Sequence, residues 1–322
     1  MAHEIDMSNN RANLAFVGSR SAVWHGLGQE LTVGAPIEDW IVEAGLAWEA
    51  FESAVSFDTM DGKKFYPDKR VLFRSDTMTP LSIVGKDYKL VQPAEVLEFF
   101  RDLTTLHGMS LSSAGSLFGG KRFWALAETG KTVEAVKNDP TNGYILLTTS
   151  LDGTMATSAR HTSVRVVCNN TLTAAMKGQS KNVIKRSHRA EWDPQSVKLD
   201  MGLVDESWEK FSAALKNLAT VEVTDKYVRE YVQSKVYMPG VPVEDQPVGR
   251  VKEANRLLDA YQFGAGSNFS KGTAYGVLQA FTDVNTHGTG KRDQSVQFLN
   301  SYFGRAENTK NEVFADMMAL MA

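Results

Sequence analysis

Near residue 195 the apolar residues of the chain change their spacing, and few folds accommodate such a change. Upstream, "FYPDKRVLFRSD", "LSIVGKDYKLV" and "GYILLTTSLDGTMATSARHTSVRVVC" are rich in β-branched and aromatic residues and broken by turn formers, the pattern of strands. Downstream, "DESWEKFSAALKNLA", "TDKYVREYVQSKVY", "GRVKEANRLLDAYQF", "GTAYGVLQAFTDVN", "DQSVQFLNSYF" and "KNEVFADMMALM" place apolar residues three and four apart, the pattern of amphipathic helices. The expected fold class is α+β: an antiparallel sheet with packed helices, followed by a mostly helical C-terminal region. The expected division is an α+β domain over residues 1–194, with a β-meander and a basic loop, and a helical domain over 195–322.

Local signals fill in this outline. "AVWHGLGQELT" reads as a Gly-rich loop or extended arm, and in "APIEDWIVEAG" Pro36 opens and Gly45 closes a short helix. "QPAEVLEFFRDLTTLHG" predicts one helix with Val96, Leu97, Phe100, Leu103 and Leu106 on its buried face. "SLFGGKRFWALAE" is a strand-turn-strand or bulged strand around Gly119 and Gly120, and Asp152-Gly153 marks a hairpin turn. Asn169 or Asn170 would then cap a helix, "TLTAAMK", that Gly178 closes, and "MPGVPVEDQP" with its three prolines is a loop.

Charge is distributed unevenly. The 322 residues carry a net charge of -3, yet residues 153–190 hold seven cations (Arg160, Arg165, Lys177, Lys181, Lys185, Arg186 and Arg189) and no carboxylate, leaving 28 basic against 38 acidic residues elsewhere. Gly178 argues against a continuous helix bearing Lys177, Lys181 and Lys185 on one face, so an irregular, mobile basic loop is expected. Such a loop suits phosphate, or it is a solvated surface segment; the charge pattern alone leaves both open. Lys121 and Arg122 in "GGKRFW", with His161, would extend a positive track. Aromatic residues near it, Phe123, Trp124, His188 and Trp192, would supply stacking partners, although strand alternation sends Phe123 and Trp124 to opposite faces and at least one of them into the core.

Other chemistries find less support. Cys168 is the single cysteine, so intramolecular disulfides and cysteine-rich zinc sites are excluded. A thiolate nucleophile at Cys168 would need His161, seven residues upstream, as base and Asp152 nearby; the alternative is a small buried hydrophobe. The six histidines are scattered, without a metal-binding pair on one helix turn, and neither "GSLFGG" nor "GAGS" is followed by the Lys-Ser/Thr of a phosphate loop. No metal, cofactor or catalytic residue is expected. No apolar run approaches the roughly 20 residues of a membrane span, and the first residues lack the order of a signal peptide, so a soluble chain in a host cytoplasm is expected.

The segments "WHGLG", "AGSLFGGKRFWALAE", "LTTSLDGTMATSARHTSVRVVCNNTL" and "GTAYGVLQAFTDVNTH" resemble a widespread phage- and plasmid-encoded family whose domain is of unknown function. The resemblance implies a mobile-element origin and carries no established activity or catalytic residue. The strand-strand-strand-helix order from Ser116 to Lys177 is also similar, in topology only, to the core of Rad52-like single-strand annealing proteins, which form rings with a basic groove. The expected function is accordingly binding or annealing of single-stranded DNA in replication or recombination, by a homo-oligomer. Lys121, Arg122, Arg160, His161, Arg165, Lys177, Lys181, Lys185, Arg186 and Arg189 would contact the nucleic acid. The alternative is a non-enzymatic assembly or host-interaction protein, in which the basic segment meets the acidic remainder of another copy.

Overall fold

A computed structural model describes residues 5–18, 27–106, 108–165, 170–172, 183–201, 204–287 and 304–321. Its strands are β1 (Leu14–Val17), β2 (Gln29–Leu31), β3 (Ala50–Thr59), β4 (Gly62–Arg74), β5 (Pro80–Gly85), β6 (Ser110–Leu117), β7 (Arg122–Val136), β8 (Asp139–Ser150), β9 (Thr157–Arg165), β10 (Asn170–Leu172) and β11 (Val183–Arg186). Its helices are α1 (Ile37–Glu43), α2 (Glu95–Glu98), α3 (Arg101–Leu106), α4 (Pro194–Met201), α5 (Val204–Thr220), α6 (Asp225–Val236), α7 (Val248–Phe263), α8 (Ser267–Ser270), α9 (Ala274–His287) and α10 (Arg305–Ala319). The protein is α+β, with mostly antiparallel sheets and helices in its C-terminal region.

The larger sheet has the order β10-β9-β8-β7-β6-β1-β2, and β11 also pairs with β9. The β1–β2 pair is parallel, whereas β1–β6, β6–β7, β9–β10 and β9–β11 are antiparallel. β10 takes Ser163–Arg165 of β9 and β11 takes Thr157–Arg160, so the two short strands share one edge of β9. A separate three-stranded antiparallel sheet has the order β3-β4-β5.

Two compact units result. The first comprises residues 1–130, 144–161 and 183–202; the second comprises 131–143, 162–182 and 203–322. Each is discontinuous in sequence because β7, β8 and β9 all contribute to both.

In the first unit the β6–β7 turn needs three consecutive left-handed residues, Phe118, Gly119 and Gly120 at φ 56°, 68° and 89°. Glycine removes the steric penalty at two of them. Both faces of β7 are covered there: Phe123 and Trp124 point opposite ways and are each under 4% exposed. The expected helix α1 is present, with Gly45 in the left-handed conformation just past its end. The single helix expected across Val96 to Leu106 is instead two, α2 and α3, interrupted at Phe99 and Phe100, both fully buried.

Two further expectations need correction. Residues 170–172 do not open a helix; they pair in register with Ser163–Arg165, so backbone groups that a helix cap would have satisfied are taken up by the ladder. Val183–Arg186, placed by the sequence in an irregular basic loop, form β11, whose Val-Ile pair favours the extended backbone. Residues 173–182, which carry most of the expected helix and loop, lie outside the described residues.

The second unit is built around the helices. Leu215, Leu218, Val228, Val232, Leu257, Phe281 and Phe314 share a core with Val133 of β7, and α9 is buried continuously from Ala274 to Thr282. Thr224 caps α6 by accepting the Tyr227 amide at 3.2 Å. Across the α6–α10 contact the Tyr231 hydroxyl donates to Asp316 at 2.7 Å, and Lys235 pairs with the same carboxylate at 2.7 Å. Burial raises the Asp316 pKa, but the bonds from Lys235 and Tyr231 outweigh it and hold the group below the usual carboxylate range. The helix expected over "DQSVQFLNSYF" falls outside the described residues.

Candidate functional site

The expected positive track divides into distinct environments. At the β9–β11 edge the register sets Arg160 opposite Val183 and Ser158 opposite Lys185. Directly opposed residues of an antiparallel pair share a face, so Arg160 and Lys185 lie on one face of the sheet and Arg186 on the other. Lys185 is exposed, as is Arg189 beyond the strand, and neither forms an ion pair among the described residues. Arg186 is half-buried and its guanidinium donates to Ser196 at 3.3 Å. Arg160 is 3% exposed and His161, one residue on, is half-buried. The Arg165 backbone pairs with Asn170. Lys177, Lys181 and Cys168 lie outside the described residues.

The hydroxyl-rich strands β8 and β9 hold this edge in register. Thr148 and Ser158 are hydrogen-bonded at 3.0 Å, and Thr149 and Thr157 at 2.7 Å, all four side chains buried. These paired hydroxyls satisfy one another where an unpaired polar group would cost about 1–3 kcal/mol.

Arg122 is already engaged. Its guanidinium lies 3.5 Å from Asp152, donates to the Thr154 hydroxyl at 3.0 Å and sits 4.8 Å above the Phe118 ring. Asp152 accepts from the backbone and hydroxyl of Thr154 in the turn that leads to β9. Burial raises the Asp152 pKa, but the Thr154 bonds and the Arg122 charge prevail and hold it low. Lys121, next door, is half-buried and without an ion pair among the described residues.

The aromatic residues near the basic segment are occupied too. His188 stacks on Tyr88 with ring centroids 4.4 Å apart, and its ring nitrogens lie 2.9 Å from the Lys89 carbonyl and 3.0 Å from that of Met155. Trp192 packs against Phe99 at 5.9 Å. Burial and the nearby Asp152 charge push the Tyr88 phenol well above its ordinary pKa; its hydroxyl donates to the Ser150 carbonyl at 2.8 Å. These contacts fasten the segment after β11 to the loop after β5.

A buried polar cluster around Arg74 and Asp6 carries no signature in the sequence. Arg74, fully buried, pairs with Asp6 at 2.6 Å, makes a two-point contact with Asp76 at 2.7 and 2.8 Å, donates to the Gly119 carbonyl at 3.2 Å and lies 4.2 Å above the Trp48 ring. Asp6 also accepts from Asn13 at 2.8 Å, Ser116 at 3.1 Å, and the Ser8 backbone at 3.0 Å and hydroxyl at 2.5 Å. Every lone-pair direction of Asp6 is used, which marks the cluster as a fastening between N-terminus, β4 and the β6–β7 turn. Such satisfaction leaves no open position for a ligand. Among the described residues no group of three or more His, Cys, Asp or Glu could hold a metal ion, and no helix is long and apolar enough to cross a membrane.

The sequence model of a family described as "Domain of unknown function (DUF932)" matches residues 80–306. No curated protein and no solved structure matches the chain.

Proposed function

The chain belongs to the DUF932 family, whose description assigns no activity, and from its own residues we propose that it binds single-stranded DNA. The observation that carries the reading is the acid-free segment 153–190, whose described part ends in Lys185 and Arg189, exposed and without ion pairs among the described residues. Several other cations of the first unit are answered by carboxylates, Arg101 by Glu38 and Glu98, Lys86 by Asp68 and Lys89 by Glu191. A run of seven cations with no carboxylate among them suits a ligand that brings its own negative charge. Binding of this kind needs no cofactor, because holding strands with bases exposed requires neutralised phosphates and little else.

A phage or plasmid origin, a homo-oligomeric state and a part in annealing during replication or recombination belong to the same proposal. The test is fluorescence anisotropy with labelled single-stranded and duplex oligonucleotides across a salt series. Each phosphate contact contributes about -0.7 to the slope of log binding constant against log salt on a single strand. The double variant K185E/R189E is expected to weaken binding and flatten that slope by about 1.4. Unchanged affinity and slope would remove this edge from the binding surface.

A further inference from the structure

Toward the tip of the β3–β4 hairpin both faces of the β3–β4–β5 sheet meet solvent, Phe65 being 65% exposed on one of them, but the other face has the more unusual composition. Along β3 the side chains of Phe51, Ser53, Val55 and Phe57 alternate onto one side, and the register sets Phe73, Val71, Tyr66 and Lys64 opposite them. The irregularity between Ala54 and Val55 inserts residues 67–69 into β4 and so keeps Tyr66 on this side although the numbering changes parity. β5 adds Ile83 beside Val71, and Lys69 falls on the same side opposite Gly85. The other side is the covered one at its base, where Ala50, Leu72 and Val84 are buried.

Four rings therefore share an open face: Phe51, Phe57, Tyr66 and Phe73. Phe51, Phe57 and Tyr66 are each 44–49% exposed, and Phe51 and Phe73 touch edge to face at 5.9 Å. At about 3.3 Å per residue, Phe51 to Phe57 spans about 20 Å. Exposed rings on this scale are costly to leave in water, at about 25 cal/mol per Å² of apolar surface, and mark a surface that meets something. Charge chooses what it meets. The face carries Lys64 and Lys69, whereas Glu52 and Asp58 of β3 alternate to the opposite side. Aromatic planes flanked by cations, with the carboxylates of β3 on the other side, fit an anionic polymer with stackable bases; a second copy laid face to face would bring Lys64 and Lys69 against like charges.

We propose that this face of the β3–β4–β5 sheet is a platform on which the bases of a single-stranded nucleic acid stack, with Lys64 and Lys69 on its phosphates. The proposal rests on the single-strand-binding reading above and names a second part of its surface. The rings deliver affinity that tolerates any base sequence, and the cations deliver its salt dependence.

The test compares the full chain with F57A/Y66A on a labelled oligonucleotide and on the same phosphate backbone with abasic positions. Both substituted side chains are exposed, so folding is preserved, which circular dichroism checks. The wild type is expected to bind the normal strand far more tightly than the abasic one, and F57A/Y66A to lose at least about fivefold per ring on the normal strand with little change on the abasic strand. If F57A/Y66A keeps wild-type affinity and still discriminates against abasic strands while K185E/R189E loses binding, the platform is refuted and the single-strand reading stands. If the wild type binds no oligonucleotide at low salt, both fall. If instead F57A/Y66A changes only the oligomeric state in mass photometry, the face is a subunit interface and the platform is refuted.

Discussion

Asp6→Ala removes one carboxylate from the buried guanidinium of Arg74, and the geometry of the pair sets the cost. Both side chains are 1% exposed and lie 2.6 Å apart, so water cannot take the place of the lost carboxylate. Breaking a buried pair costs about 3–5 kcal/mol because the surviving charge stays buried. Asp76 still answers Arg74, while Asn13, Ser116 and Ser8 lose a shared acceptor, so the expected loss is near the low end, about 3 kcal/mol. The assay is urea unfolding followed by circular dichroism, with the melting temperature as a second readout, expected to fall by roughly 6–12 °C. The double variant D6A/R74M should recover part of the loss, since it removes the stranded charge as well. A D6A protein within about 0.5 kcal/mol of wild type would refute the description of this cluster as a buried fastening.

The same cluster sets an acid limit. Burial raises the Asp6 pKa, but the bonds from Ser8, Arg74 and Asn13 and the Arg74 charge overcome it, so the folded value lies below the unfolded one. Its stabilisation is present above the unfolded carboxylate range and is lost as pH falls through the folded value; in D6A the acid-unfolding curve should be shallower, which a pH titration by circular dichroism checks. Gly120→Ala should cost about 2–4 kcal/mol, read by urea unfolding, since the residue sits at φ +89° and a Cβ would lie 2.7 Å from the Arg74 guanidinium and 2.8 Å from the Trp48 ring. Thr224→Ala should cost about 1 kcal/mol by loss of the α6 cap, and Thr224→Ser should restore most of it.

Elements that announce themselves locally are legible in the sequence. The helical spacing of apolar residues in "TDKYVREYVQSKVY" predicts a helix, and the structure has α6 there with Val228, Val232 and Val236 buried. The Gly119-Gly120 turn is written in residues that tolerate left-handed backbone. Long-range partners are not legible. Asp6 and Arg74 are 68 residues apart, and no local pattern links a carboxylate near the start to an arginine at the end of β4. β10 and β11 read as a helix cap and a basic loop because their own residues suit those roles, whereas the open edge of β9 supplies the ladder they complete. Alternation puts Arg160 on a defined face of a strand, but only the structure tells that the face at that point is covered. The stripe of Phe51, Val55 and Phe57 does not stand out in the sequence because Glu52, Ser56 and Asp58 between them dilute the run that marks a buried strand.

Titration of the protein into a fluorescent single-stranded oligonucleotide at two salt concentrations asks most simply whether this chain holds nucleic acid. The expected result is saturable binding at low salt that weakens steeply as salt rises, and weaker binding by K185E/R189E. Equal fluorescence anisotropy with and without protein at low salt would contradict it.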